Sequence, residues 1–64
     1  MKYQVITDAG LDGGLDEKRE CNRLADATEA AREYVADGYD GAGIFSYKRQ
    51  RIIWTVGYFR EWQM

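Results

Sequence analysis

The chain has 64 residues, with 11 acidic and 9 basic side chains for a net charge of −2, no histidine, no proline and one cysteine. That length holds one domain around one core, at a size where stability is marginal without help, and the lone Cys21 cannot supply that help by closing a disulfide within the chain. With the commonest general base and metal ligand missing, and no run near the roughly 18 apolar residues of a membrane span or the apolar stretch of a signal peptide, the expectation is a cytoplasmic, non-enzymatic domain without a cofactor.

Residues 2–8 alternate Tyr3, Val5 and Thr7 with Gln4, Ile6 and Asp8, the period of two and the β-branched content of a first strand. Residues 9–15 contain Gly10, Gly13 and Gly14 and read as a loop. Residues 16–23 are mostly charged around Cys21, and are either a second strand pairing back on the first or an irregular segment. Asp26 followed by Glu29 has the form of a capping box. Ala27, Ala30, Ala31, Tyr34 and Val35 then recur at helical spacing before Gly38, which predicts a helix over residues 27–37. Its apolar side is mostly alanine and can lie close to a sheet, leaving Glu29, Arg32, Glu33 and Asp37 toward water.

The run Gly38-Tyr39-Asp40-Gly41-Ala42-Gly43 offers a glycine for the position just past the helix and then a turn. A strand over residues 44–47, a polar tip over residues 48–51 and a return strand over residues 52–59 follow. Strict alternation in the return strand puts Ile52, Trp54, Val56 and Tyr58 on one face and Ile53, Thr55, Gly57 and Phe59 on the other. A strand apolar on both sides sits centrally, or has one side covered by the helix and the other by a partner chain. The order is β(β)αββ: an α+β domain whose antiparallel sheet of three or four strands carries one helix on a face. Nine aromatic residues in so short a chain favour an ordered globule over a disordered tail.

No constellation of reactive groups emerges. Cys21 beside Lys18, Arg19 and Arg23 has cations that would lower a thiol pKa but no partner base, and a small half-buried side chain is the better reading. Asp8, Asp12 and Asp16 recur around the glycine loop without the alternating ligands of a calcium hand, so a solvated turn outweighs a metal site. The loop glycines lack the Lys-Ser/Thr that completes a phosphate-binding loop. With eleven acids, a glycosidase-like carboxylate pair somewhere is inevitable and argues nothing.

Charge is divided along the chain. Residues 1–43 sum to −5 and residues 44–64 to +3, so the molecule is expected to have acidic and basic ends. The acidic surface comprises Asp8, Asp12, Asp16, Glu17 and Glu20 in and after the loop, with Asp26, Glu29, Glu33, Asp37 and Asp40 on and beyond the helix. Of these, Asp12, Asp16, Glu17, Glu29, Glu33, Asp37 and Asp40 are the candidate partner-binding residues. Carboxylates spaced this way can take the places of phosphates on a basic, nucleic-acid-binding protein. The alternative site is the basic tip, Tyr47, Lys48, Arg49 and Arg51 with Trp54, which combines cations and aromatics as nucleic-acid readers do. The net negative charge works against it. Phe59 and Trp62 near the terminus suit an interface, or a terminus folded onto its own core, and a homodimer through that edge would answer the size problem.

A short chain with acidic patches, no catalytic set and a minimal α+β layout resembles the small acidic accessory proteins of phages and other mobile elements, the anti-CRISPR proteins among them. The resemblance implies an inhibitor that occupies the binding surface of a nucleic-acid-handling complex.

Overall fold

A computed structural model describes residues 2–60 of the chain. Strands β1 (Tyr3–Asp8), β2 (Leu15–Cys21), β3 (Gly41–Ser46) and β4 (Arg51–Gly57) form one antiparallel sheet in the order β2-β1-β3-β4, and helix α1 (Leu24–Ala36) connects β2 to β3. The fold is therefore the α+β arrangement expected, in its four-stranded form. The charged segment after the glycine loop is a strand because it lies at the sheet edge. Residues 15–20 are exposed throughout, and only Cys21 at its end turns into the core.

The helix covers the sheet face that carries Val5, Ala42 and Ile44, and these pack with Cys21, Ala27, Ala30 and Ala31 in one buried cluster. Three alanines on the inner side of α1 let its backbone come close to the sheet, while Tyr3, Tyr34, Val35, Ile53, Trp54 and Val56 close the margins. Burying Val5 and Ile44, both fully enclosed, is worth about 1.5–3 kcal/mol for each side chain.

α1 begins three residues before the expected start, at Leu24 rather than residue 27. Arg23 holds the cap position without a side-chain cap, so the Asp26–Glu29 capping box does not form. Leu24 and Ala25 are good helix formers that let the helix extend backward. Asp26 then falls in the first turn, where its carboxylate meets the positive end of the helix. At the other end Gly38 lies past the Asp37 cap with φ +122°, its N–H donating to the Val35 carbonyl while Tyr39 N–H donates to that of Tyr34. This paired closure needs a left-handed residue, which glycine adopts without strain.

β3 also starts earlier than expected, at Gly41 rather than residue 44. Glycine here serves close approach and not a turn. A Cβ on Gly43 would lie 2.9 Å from the Phe59 ring, and one on Gly41 would collide with the Tyr58 backbone. Two bulges then reset the sheet. On β2 Lys18 is left over between the Val5–Arg19 and Ile6–Glu17 pairs, and on β4 Ile53 is left over between Ile44–Trp54 and Phe45–Ile52.

The second bulge corrects the face assignment of the return strand. Ile52 lies with Phe45 on the face away from the helix, whereas Ile53, Trp54 and Val56 all pack toward the core. The strand stops at Gly57, and the chain turns so that Phe59, 1% exposed, lies over Gly43 on the uncovered face. Of the two readings of the terminus, Phe59 therefore follows the one in which the chain packs on its own domain. Trp62 lies outside the described residues.

Candidate functional site

Register places the charges at two poles. β1 ends at Asp8 opposite Leu15 and Gly41, and begins at Tyr3 opposite Cys21 and Ser46. At the Asp8 pole stand the β1–β2 loop with Asp12, the start of β2 with Asp16, the cap residue Asp37 and the α1–β3 loop with Asp40, whose N–H donates to the Asp8 carbonyl. At the Tyr3 pole stand Lys2, Arg23 and the β3–β4 tip with Lys48, Arg49 and Arg51. Four of the seven acids chosen from the sequence thus share one end. Glu17 lies along the edge strand, and Glu29 and Glu33 lie on the exposed side of α1.

All seven are exposed. Only Asp16 forms an ion pair among the described residues, with Lys18 at 3.0 Å. Lys18 also lies 5.2 Å from the centre of the Tyr39 ring, so it bridges Asp16 on its own strand and Tyr39 of the α1–β3 loop. Leu11, 98% exposed at the tip of the β1–β2 loop, stands beside Asp12.

Asp8 does not belong to the acidic surface. It is fully buried, and its carboxylate accepts from the Arg60 side chain at 2.9 and 3.1 Å, from the Arg60 backbone N–H at 2.9 Å and from Gly10 N–H at 2.9 Å. Arg60 further donates to the Gly10 carbonyl. The guanidinium hydrogen bonds hold the Asp8 pKa down at about 2, outweighing the opposing effect of burial, and Asp8 in turn raises that of Arg60. Asp8, Asp12 and Asp16 therefore do not act as a set: one is buried in a clamp, one stands in the loop and one is tied to Lys18.

The basic tip is also rearranged. Tyr47 donates its hydroxyl toward Gln4 Oε1 at 3.0 Å and Glu20 Oε2 at 2.9 Å, and its ring meets Phe45 edge-on at 5.6 Å. The hydrogen bond to Glu20 raises the Tyr47 pKa. Trp54 stands opposite Ile44 on the helix side with the Arg32 guanidinium 5.5 Å from its ring, so it is separated from the tip and stabilises α1 against β4. Lys48, Arg49 and Arg51 remain, and Lys2, Tyr3, Ser46, Tyr47, Lys48 and Arg49 with Ile53 border a hollow of about 440 Å³ at that pole. The cations Lys2, Arg23, Lys48, Arg49 and Arg51 make no ion pair among the described residues.

Two features of the site escaped sequence reasoning. One is the Asp8–Arg60 clamp, whose partners lie 52 residues apart with no local pattern joining them. The other is the face opposite the helix, where Ile6, Leu15, Phe45 and Ile52 line an open hollow of about 870 Å³ between Asp16 and Glu17 on one side and Gln50 and Arg51 on the other. Alternation in β1 could have suggested the Ile6 side, but the β4 bulge that adds Ile52 leaves no local signal. Among the described residues every buried side-chain polar atom has a hydrogen-bond partner, and no helix is long and apolar enough to cross a membrane. No protein-family model, curated protein or solved structure matches this chain.

Proposed function

We propose that this chain is a non-enzymatic protein-binding module that meets a basic partner surface with its acidic pole and the exposed side of α1. The observation that carries this reading is the pole itself: Asp12, Asp37 and Asp40 stand exposed without an ion pair among the described residues, around a loop whose Leu11 projects almost wholly into solvent. Unpaired carboxylates steer a basic partner, and a projecting leucine supplies an apolar anchor within that ring. Inhibition of a nucleic-acid-handling complex of the anti-phage defence type is its sharpest form, with carboxylates occupying positions meant for phosphates.

The test is affinity capture from host lysate with the native chain and with Asp12→Lys/Glu33→Lys/Asp37→Lys as baits. A basic protein retained by the first, displaced by duplex DNA and lost with the second is the expected result. Identical capture by both baits rejects the reading.

A second reading is favoured by the five unpaired cations at the opposite pole: direct binding of single-stranded nucleic acid through Lys48, Arg49 and Arg51. Fluorescence anisotropy with a labelled oligonucleotide decides it, since binding that survives Lys48→Glu/Arg49→Glu/Arg51→Glu is not through the tip.

A further inference from the structure

The two edges of the sheet are built differently. β2 presents five consecutive charged residues, Asp16, Glu17, Lys18, Arg19 and Glu20, and a bulge at Lys18, both of which discourage another strand from pairing there. β4 presents Ile52-Ile53-Trp54-Thr55-Val56, half-buried, uncharged and free of proline, and among the described residues it pairs only with β3. An edge left bare on one side and guarded on the other accepts a strand selectively.

Backbone alternation identifies the groups on offer. Tyr58 N–H donates to the Asp40 carbonyl at 3.0 Å, in the same register as the Ala42–Val56 and Ile44–Trp54 pairs. In an antiparallel ladder hydrogen-bonded and non-hydrogen-bonded pairs alternate, so Val56 and Trp54 turn their N–H and C=O groups toward β3 and Thr55 turns its pair outward.

Charge selects the occupant. β4 runs from the basic pole to the acidic one: Arg51 opens it next to Lys48 and Arg49, and Gly57 closes it against Asp40, near Asp37. Two copies joined β4 to β4 about a two-fold axis are necessarily antiparallel, which sets the basic pole of each beside the acidic pole of the other, twice. A parallel arrangement would place like poles together. We propose that the chain forms a homodimer by antiparallel pairing of β4 with β4 of a second copy, making one continuous eight-stranded sheet. The strand edge lies outside the proposed partner-binding surface although the acidic pole, with Asp37 and Asp40, serves both, and its test is independent of that reading because it uses the chain alone.

Sedimentation of the full chain over a wide concentration range, with amide hydrogen exchange on the same samples, tests it. Mass is expected to double with concentration, and exchange at Thr55 N–H to slow in step with dimer formation. Thr55→Pro removes an outward N–H without removing a β3 bond, so it is expected to stay folded by circular dichroism and monomeric where the native chain is dimeric. Arg51→Glu and high salt are each expected to weaken the dimer. A chain that stays monomeric throughout, or a dimer in which Thr55 exchanges as a free amide, overturns the proposal. So does a folded Thr55→Pro variant that still dimerises. If Thr55→Pro fails to fold, exchange in the native chain decides alone.

Discussion

Arg60→Gln is the substitution that probes the molecule most sharply, because it removes one partner of a buried pair and leaves the other in place. In the native chain the Asp8 pKa falls from 3.8 to about 2. At about 1.4 kcal/mol per tenfold change in affinity for the proton, that is about 2 kcal/mol of folded-state stability. A carboxyl depressed on folding contributes fully above its unfolded pKa of 3.8, and loses the contribution as pH falls through about 2. Without the guanidinium, Asp8 keeps only backbone donors, and because the Arg60 side chain is partly exposed the loss is expected at or below the low end of the roughly 3–5 kcal/mol for breaking a fully buried pair. A 64-residue domain has roughly 3–10 kcal/mol in all, so the variant is expected to lose a large share of its stability at pH 7. The Asp8 pKa then rises from about 2, because burial is opposed only by the Gly10 and Arg60 backbone N–H groups, so Arg60→Gln is expected to lose less stability than the native chain on acidification from pH 6 to pH 2. Asp8→Asn added to Arg60→Gln is expected to recover part of the loss, because it removes the stranded charge. Urea unfolding followed by circular dichroism across that pH range, with carbon NMR titration of the Asp8 carboxyl, measures both effects. An Asp8 that titrates near 4 in the native chain, or an Arg60→Gln variant unfolding at the native midpoint, refutes the reasoning.

Two further outcomes follow from the packing. Gly43→Ala places a methyl group 2.9 Å from the Phe59 ring, which must lift from the uncovered face, so a loss of about 1–3 kcal/mol in urea unfolding is expected and an unchanged midpoint would show that Phe59 does not rest there. Cys21 is 8% exposed within the core cluster, so an aromatic disulfide reagent is expected to react with it only as fast as the domain opens, and immediate stoichiometric reaction in native buffer would contradict that burial.

Local pattern carried most of the element order. Alternation in residues 2–8, the alanine periodicity ahead of Gly38 and the charged tip after residue 47 each mark an element whose cause lies within a few residues, and all three hold. What failed locally failed for tertiary reasons. Gly41 and Gly43 look like turn residues until Tyr58 and Phe59 are seen to need the space above them. Trp54 looks like part of the basic tip until the bulge at Ile53 turns it under α1 and Arg32. Asp8 looks like one more surface acid until Arg60 closes over it.

The sequence by itself determined the α+β class, the first strand, the helix and the last hairpin, and the division of charge along the chain, because period and composition act over a few residues, and it left residues 16–23 open between a strand and an irregular segment. Only the tertiary structure decided which charges stay free. Four of the acids share a pole because antiparallel register brings the end of β1, the start of β2 and the loop after α1 together. Asp8 leaves that group because a buried carboxylate needs a cation or hydrogen-bond donors around it, and the guanidinium that closes over it lies 52 residues away. The bare β4 edge likewise exists only once strand order is set, since nothing in Ile52-Ile53-Trp54-Thr55-Val56 distinguishes a central strand from an outer one.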